Sequence, residues 1–150
     1  MSYRNILIAT DLTDEAEEVF AAAKNAAEEQ NGAHCSACTI IRPLARTYGG
    51  LDMANVVAGV PFEEEMRTQA KDKLTTLGQE FGVAATDTYV RMGTPATEIR
   101  ALADEIKADL IVIGTHGRHG LGLLLGSTAN AVLHGVGCDV LVVKIHASET

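Results

Sequence analysis

The sequence is poor in basic residues. Its 150 residues include 12 Lys and Arg against 20 Asp and Glu, which gives a formal net charge of −8. Non-specific binding to nucleic acid needs Lys and Arg to neutralise phosphates, so we expect no nucleic-acid partner. A local basic spot remains compatible with binding one small phosphorylated molecule.

Long apolar runs and paired cysteines are also missing. No stretch of 18 or more apolar residues occurs, and no charged segment with a long apolar stretch opens the chain, so we expect neither a membrane partner nor a signal peptide. Three cysteines are an odd number and predict no disulfide framework. Cys35 and Cys38 lie three apart in a predicted strand, where their thiols point to opposite faces. A cytoplasmic location follows as the expectation.

The usual hydrolase and metalloprotease signatures are absent. The sequence has no His-Glu-x-x-His, no Gly-x-Ser-x-Gly and no convincing pair of nucleophile and base. We therefore predict no catalytic residue and no metal site, and an enzyme is the less favoured class. His116 and His119 are the nearest candidates for the base of a weak ATPase.

Alternating strand and helix patterns run through the chain. Short apolar runs predict strands at 5–10, 34–41, 86–92, 110–113 and 140–145, and helical patterns lie between them. Thr13 is predicted to cap the first helix, Pro61 to begin the second, and the stretch from Arg42 to Val60 reads as a loop. This alternation predicts one α/β domain over residues 1–150. It also predicts a five-stranded parallel sheet with helices on both faces, and right-handed crossovers restrict the topology. In a doubly wound sheet with the order 3-2-1-4-5, the first and fourth strands would meet where the order reverses.

A glycine-rich segment, Gly114 to Ser127, follows the fourth predicted strand and contains five glycines. Glycine lets backbone N–H groups approach an anion closely, and the helix start at Gly126-Ser127-Thr128 favours a phosphate. His116, Arg118 and His119 add cationic donors. The segment predicts an anion- or nucleotide-binding loop. The alternative is a flexible surface loop followed by a helix cap.

Asp11 directly follows the first predicted strand. Ligands bind at the carboxyl ends of strands in such sheets, so its carboxylate can hold a ribose hydroxyl or a metal-bound water. It can equally end the strand with an Asx turn to Thr13. Both interpretations stay open at the level of sequence.

Three segments resemble the universal stress protein family. They are Asn5 to Thr13 around the acidic Asp11, then Arg91 to Pro95, then Asp109 to Gly117 continued by Gly126-Ser127 and by Cys138 to Val143. The resemblance covers nearly the whole chain. It implies the 3-2-1-4-5 fold, a cytoplasmic stress-response protein, and a homodimer that pairs through the last strand, here Val140 to Ile145.

Some members of this family bind ATP, and magnesium with it, through Gly-x-x-Gly, nine residues, Gly and Ser or Thr. In them the first acidic turn meets the ribose and phosphates, and a residue of the second strand contacts adenine. With Arg118 added from the loop, the residues that the resemblance makes candidates for binding are Ala9, Thr10, Asp11, Ile40, Ile113, Gly114, His116, Gly117, Arg118, Gly126, Ser127 and Thr128.

The sequence departs from that ATP pattern at three places. Eight residues, not nine, separate Gly117 from Gly126. Ala9 stands where a proline is frequent, and Leu12 where a glycine is frequent. Since each residue spans about 3.3–3.8 Å, a one-residue deletion re-aims backbone N–H groups. The leading hypothesis is a homodimer that binds an ATP-like nucleotide or another phosphate-type anion as a regulatory ligand. A dimeric interaction protein without nucleotide and a weak ATPase are the alternatives, and the protein partners stay unspecified.

Overall fold

The computed structural model describes residues 3–13, 15–43, 53–115 and 126–145, and for residues 53–61 it describes the backbone without the side chains. Strands and helices alternate along these ranges. The strands are β1 (Asn5–Ala9), β2 (His34–Ile41), β3 (Thr88–Met92), β4 (Leu110–Gly114) and β5 (Asp139–Val143). The helices are α1 (Ala16–Glu29), α2 (Met53–Glu80), α3 (Pro95–Ile106) and α4 (Ser127–Gly135).

The five strands form one sheet in the order β3-β2-β1-β4-β5, and every neighbouring pair is parallel. The predicted fold class and strand order are therefore confirmed. β1 lies at the centre between β2 and β4, with Ile8 paired to Ala37 on one side and to Val112 on the other. This is where the strand order reverses, so the carboxyl ends of β1 and β4 diverge and leave a crevice.

Alternation of side chains along the strands divides the core into two layers. Ile6 and Ile8 pack with α1 and α2 on one face, whereas Leu7 and Ala9 pack with α3 and α4 on the other. Burial on both faces explains why the strands read as continuous apolar runs. Cys35 and Cys38 fall into different layers, as the strand period predicts.

Helix boundaries follow the local chemistry of the chain. Thr94 is the N-cap of α3 and Pro95 occupies its first turn, as predicted. The end of α1 is followed by Asn31 and Gly32 with φ of 62° and 86°, the left-handed conformation that glycine adopts without strain. Thr13 does not cap α1, which begins after the N-cap residue Glu15 with no side-chain cap bond. The predicted cap was wrong: Thr13 lies two residues before the N-cap, and its hydroxyl donates to Asp11 Oδ1 at 2.8 Å.

Two further predictions need correction. The segment from Met53 to Val60 is helical, not a loop, so Pro61 lies inside the 28-residue α2 and does not begin it. Its apolar residues follow no helical period, and a proline normally ends or begins a helix, so the sequence pointed to the wrong boundary. The last strand ends at Val143, whereas it was predicted to reach Ile145. Ile145 is instead buried in the α1 and α2 layer.

No helix within the described ranges is long and apolar enough to cross a membrane. The assignment of residues 1–150 to one domain stays a prediction.

Candidate functional site

A cleft of about 1100 Å³ opens at the carboxyl edge of the sheet. Residues from all of β1, β2 and β4, and from the described helices on both faces, line it. This is the position at which ligands bind in open parallel sheets, outside the strand ends where the order reverses. The fold therefore places the candidate site at β1 and β4.

Most of the residues predicted from sequence line this one cleft. They are Ala9, Thr10, Asp11, Ile40, Ile113, Gly114, Gly126, Ser127 and Thr128. The remaining candidates, His116, Gly117 and Arg118, lie outside the described residues. The described candidates come from four separate segments of the chain, and the parallel topology brings them to one edge.

The start of α4 forms one wall of the cleft. Gly126 is its N-cap, in an extended conformation with φ −61° and ψ 153°, and no side chain caps the helix. The first backbone N–H groups of a helix have no intrahelical acceptor, so those of Ser127 and Thr128 are donors for a ligand. Gly126 N–H itself donates to the carbonyl of Thr115.

Thr115, which sequence reasoning missed, holds the two ends of the glycine-rich segment. Its backbone N–H donates to the carbonyl of Val143 at 2.9 Å, and its hydroxyl accepts the N–H of Ile145 at 3.2 Å. Together with the bond from Gly126, these contacts fix the start of α4 against the ends of β4 and β5. The available signal was a threonine two residues after the predicted strand, directly behind Gly114.

Asp11 forms the Asx turn that was one of its two interpretations. Its Oδ1 accepts the backbone N–H of Thr13 at 3.1 Å and the hydroxyl of Thr13 at 2.8 Å. Leu12 between them adopts φ of 60°, a left-handed conformation, and its N–H donates to Thr10 Oγ1 at 3.0 Å. The turn places Asp11 at the cleft.

Gly114 has a packing role in addition to its place in the cleft. A Cβ atom there would lie 3.1 Å from Ile145 Cδ1 and 3.3 Å from Val19 Cγ2. Carbon atoms prefer separations of about 3.5–4.0 Å, so a side chain would crowd both neighbours. A side chain at this position would therefore require Ile145 or Val19 to shift by a few tenths of an ångström.

Helix α2 supplies a wall that the sequence did not indicate. Met66, Gln69, Ala70 and Lys73 line the cleft, and Arg42 joins them from the end of β2. These α2 positions are spaced by three and four residues, which places them on one side of a helix. That spacing was available in the sequence, but only the tertiary structure shows that this side faces the cleft.

The cysteines take no part in the site. Burial raises the pKa of Cys38 to about 12, and burial also raises the pKa values of Cys35 and Cys138. All three are free thiols. Within the described ranges, no group of three His, Cys, Asp or Glu side chains is arranged to hold a metal ion.

Comparison with known proteins gives concordant matches. Residues 2–144 match the model of the universal stress protein family. Universal stress protein A homolog 1 of Coxiella burnetii is 36% identical over 143 residues, which cover 95% of this chain and 97% of that protein. Homolog 2 of the same organism is 42% identical over 93 residues, 62% of this chain and 64% of that protein.

Among solved structures, a universal stress protein in complex with cAMP superimposes with a TM-score of 0.60 at 26% identity, covering 96% of this chain and 98% of that one. The family match spans every described strand and helix, from Asn5 to Val143. The chain belongs to the universal stress protein family.

Proposed function

We propose that this protein acts in the stress response and binds an ATP-like nucleotide, or another phosphate-type anion, as a regulatory ligand in the cleft. The observation that carries the proposal is the convergence of the α4 N-terminus and the Asp11 turn on one crevice at the switch point of the sheet. A nucleotide needs two kinds of polar partner: hydrogen-bond donors for its phosphates and a carboxylate that accepts from its sugar hydroxyls.

The phosphate end is assigned to α4. Ser127 and Thr128 offer N–H groups at the positive end of the helix dipole and hydroxyls beside them. Arg42 lines the same cleft and supplies positive charge in a chain whose net charge is −8. Magnesium, where the ligand carries it, is assigned to the phosphates and the Asp11 carboxylate.

The base end is assigned to the strand ends. Ala9, Ile40 and Ile113 give an apolar surface on the α3 and α4 face of the sheet. The solved relative that carries cAMP supports an adenine nucleotide as the class of ligand. Asp11, held by its turn, is the acceptor for a ribose hydroxyl between the base and the phosphates.

Calorimetric titration tests the proposal with ATP and magnesium, cAMP and inorganic phosphate as separate ligands. Ser127→Pro removes one N–H and one hydroxyl, and proline fits the first helical position without disturbing the helix. We expect it to weaken nucleotide binding about tenfold, the equivalent of a charge-assisted hydrogen bond. Thr97→Ala, an exposed position near the start of α3, is the matched control.

Each outcome decides a specific point. Heat with ATP that Ser127→Pro reduces and Thr97→Ala leaves unchanged supports the nucleotide site. No heat from any nucleotide with protein that remains folded by circular dichroism rejects it. Equal binding of phosphate and ATP reduces the proposal to an anion site.

The homodimer is the second part of the proposal, and the exposed edge of the sheet supports it. β5 is the edge strand next to β4, and Leu141 on it is 39% exposed. An unpaired edge with an exposed large apolar side chain is a template for a second copy. The free cysteines support the cytoplasmic location proposed with it.

Sedimentation velocity tests the dimer. Leu141→Lys should convert it to monomer, because a charge on the edge strand opposes pairing with another strand. Leu133→Lys is the control, since Leu133 is 45% exposed and belongs to α4, not to the edge strand. A wild-type monomer, or equal effects of the two substitutions, rejects pairing through β5. A wild-type dimer that binds no nucleotide favours the alternative hypothesis of a dimeric interaction protein without nucleotide.

A further inference from the structure

The cleft extends across the edge of the sheet into a second lobe between α1 and α2. In β2, Ala37 belongs to the α1 and α2 layer and Cys38 to the opposite layer. By the same alternation Thr39 faces α1 and α2, whereas Ile40 faces α3 and α4. We call the space lined by Ala16, Val19, Thr39, Met66, Ala70 and Lys73 the α1/α2 lobe. The nucleotide residues Ile40, Ile113 and Ser127 line the other side.

The floor of this lobe carries a hydroxyl that opens to the cleft. Thr39 is only 5% exposed, and no hydrogen bond to its side chain exists within the described ranges. No fully buried side-chain nitrogen or oxygen of the described residues lacks a hydrogen-bond partner, so the Thr39 oxygen is accessible from the cleft. Because Thr39 lines the cleft, a ligand that enters the lobe can supply the missing partner.

A lysine of α2, Lys73, lines the same lobe as Thr39. Lys71 and Thr75 of α2 contact Thr88, and Thr88 pairs with Ala37 of β2. Thr39 is two residues further along β2, level with the preceding turn of α2, because the helix runs opposite to the strand. Side chains on a helix tilt towards its N-terminus, so Lys73 extends towards that level.

The charges of the lobe select the sign of a ligand. Within the described residues Lys73 has no carboxylate within 4.0 Å, since the ion pairs there are His34–Asp87 and Arg91–Glu105. Val19, Met66 and Ala70 make the space between them apolar, and the small side chain of Ala70 keeps it open.

The lining of the cleft lies on both faces of the sheet, and the volume is about 1100 Å³. A nucleotide placed against Ile40 and Ile113 lies on the face opposite to Thr39. The lobe has an apolar body, one cation and one hydroxyl, which together fit an apolar chain that ends in a carboxylate.

We propose that the α1/α2 lobe binds a medium-chain monocarboxylate, with its carboxylate between the Thr39 hydroxyl and the Lys73 ammonium. The Thr39 hydroxyl donates to the carboxylate, and the alkyl chain lies against Val19 and Met66. The site is separate from the proposed nucleotide site and does not depend on it.

Calorimetry on the full chain with octanoate, octanol and octylammonium tests the lobe. Octanoate should bind most tightly and octylammonium most weakly. Lys73→Gln should weaken octanoate about 2–5-fold, the range of an exposed charge pair, and leave octanol unchanged. Lys24→Gln, at an exposed position of α1 outside the cleft, is the matched control and should change nothing.

Two further variants locate the ligand. Ala70→Phe fills the lobe and should abolish octanoate binding, whereas ATP binding should stay within about twofold and Ser127→Pro should leave octanoate unaffected. Thr39→Val keeps the shape, removes the hydroxyl and should weaken octanoate, which remains informative even where Ala70→Phe fails to fold. No octanoate binding at millimolar concentration overturns the proposal. So does octanol binding as tightly as octanoate, or unchanged octanoate affinity in both Lys73→Gln and Thr39→Val.

Discussion

Replacing Gly114 by alanine tests whether this glycine serves packing as well as the cleft. The new Cβ would lie 3.1 Å from Ile145 Cδ1, 3.2 Å from Ile145 Cγ1 and 3.3 Å from Val19 Cγ2. All three separations are below the preferred 3.5–4.0 Å, so Ile145 and Val19 must shift by a few tenths of an ångström. Overpacking of this kind costs about 1–3 kcal/mol. Ile145 follows the last strand and can shift more easily than a residue within it, so we expect about 1–2 kcal/mol.

A double-mutant cycle with Ile145→Ala identifies the cause. Ile145 is 4% exposed, so its truncation alone should cost about 2–4 kcal/mol. It also removes both of the crowded Ile145 atoms, so Gly114→Ala in that background should cost less than about 0.5 kcal/mol, with only the Val19 contact left.

Urea unfolding followed by far-ultraviolet circular dichroism suits a chain that has no tryptophan. In thermal unfolding, Gly114→Ala should lower Tm by about 2–4 °C for each kcal/mol of unfolding free energy that is lost. An equal cost of Gly114→Ala in both backgrounds, or a stabilising effect of the single substitution, would refute the reasoning. The glycine would then owe its place to something other than the approach of Ile145.

Three other substitutions give distinct expectations. Asp11→Ala should lower the free energy of unfolding by about 1 kcal/mol, whereas Asp11→Asn keeps an acceptor for Thr13 and should stay near wild type, which urea titration distinguishes. Burial raises the pKa of Cys38 from 9.0 to about 12, so between those pH values the unfolded thiol loses its proton and the native one retains it. In this pH range the free energy of unfolding should fall more steeply with pH than it does in Cys38→Ala. The difference in slope should reach up to about 1.4 kcal/mol per pH unit. Lys107→Gly should raise Tm, because Lys107 adopts φ of 58° after α3, a strain of about 1–2 kcal/mol that glycine lacks; an unchanged or lower Tm would contradict it.

The fold was predictable because its signals are local. Strands such as Leu110–Gly114 are buried on both faces and read as continuous apolar runs, a mark of parallel sheets. Thr94-Pro95 marks the start of α3, and Asn31-Gly32 marks the end of α1. Both pairs adopt backbone conformations that only a few residue types favour. The beginning of α2 was missed because its first residues show no helical period and a proline follows them.

The candidate site was predictable only in part. Asp11 and Ser127 stand next to a strand end and at a helix start, positions that sequence can indicate. Met66 and Lys73 lie on a helix with no motif, and their place beside the cleft depends on how α2 packs over β2 and β3. Side-chain spacing gives the face of a helix and does not give its neighbour.

The sequence by itself determined the α/β alternation, the strand order expected from the family, and the residues that meet at the carboxyl edge. Periodicity and turn chemistry are properties of neighbouring residues, so they are present before the chain folds. The tertiary structure decided that Ile145 packs against Gly114, that Asp11 forms an Asx turn, and that α2 lines one side of the cleft. Ile145 approaches Gly114 from 31 residues further along the chain, and Thr39 meets the α2 wall only when the helix packs on the sheet. Such contacts join residues that are distant in sequence, and only close packing of the folded chain specifies them.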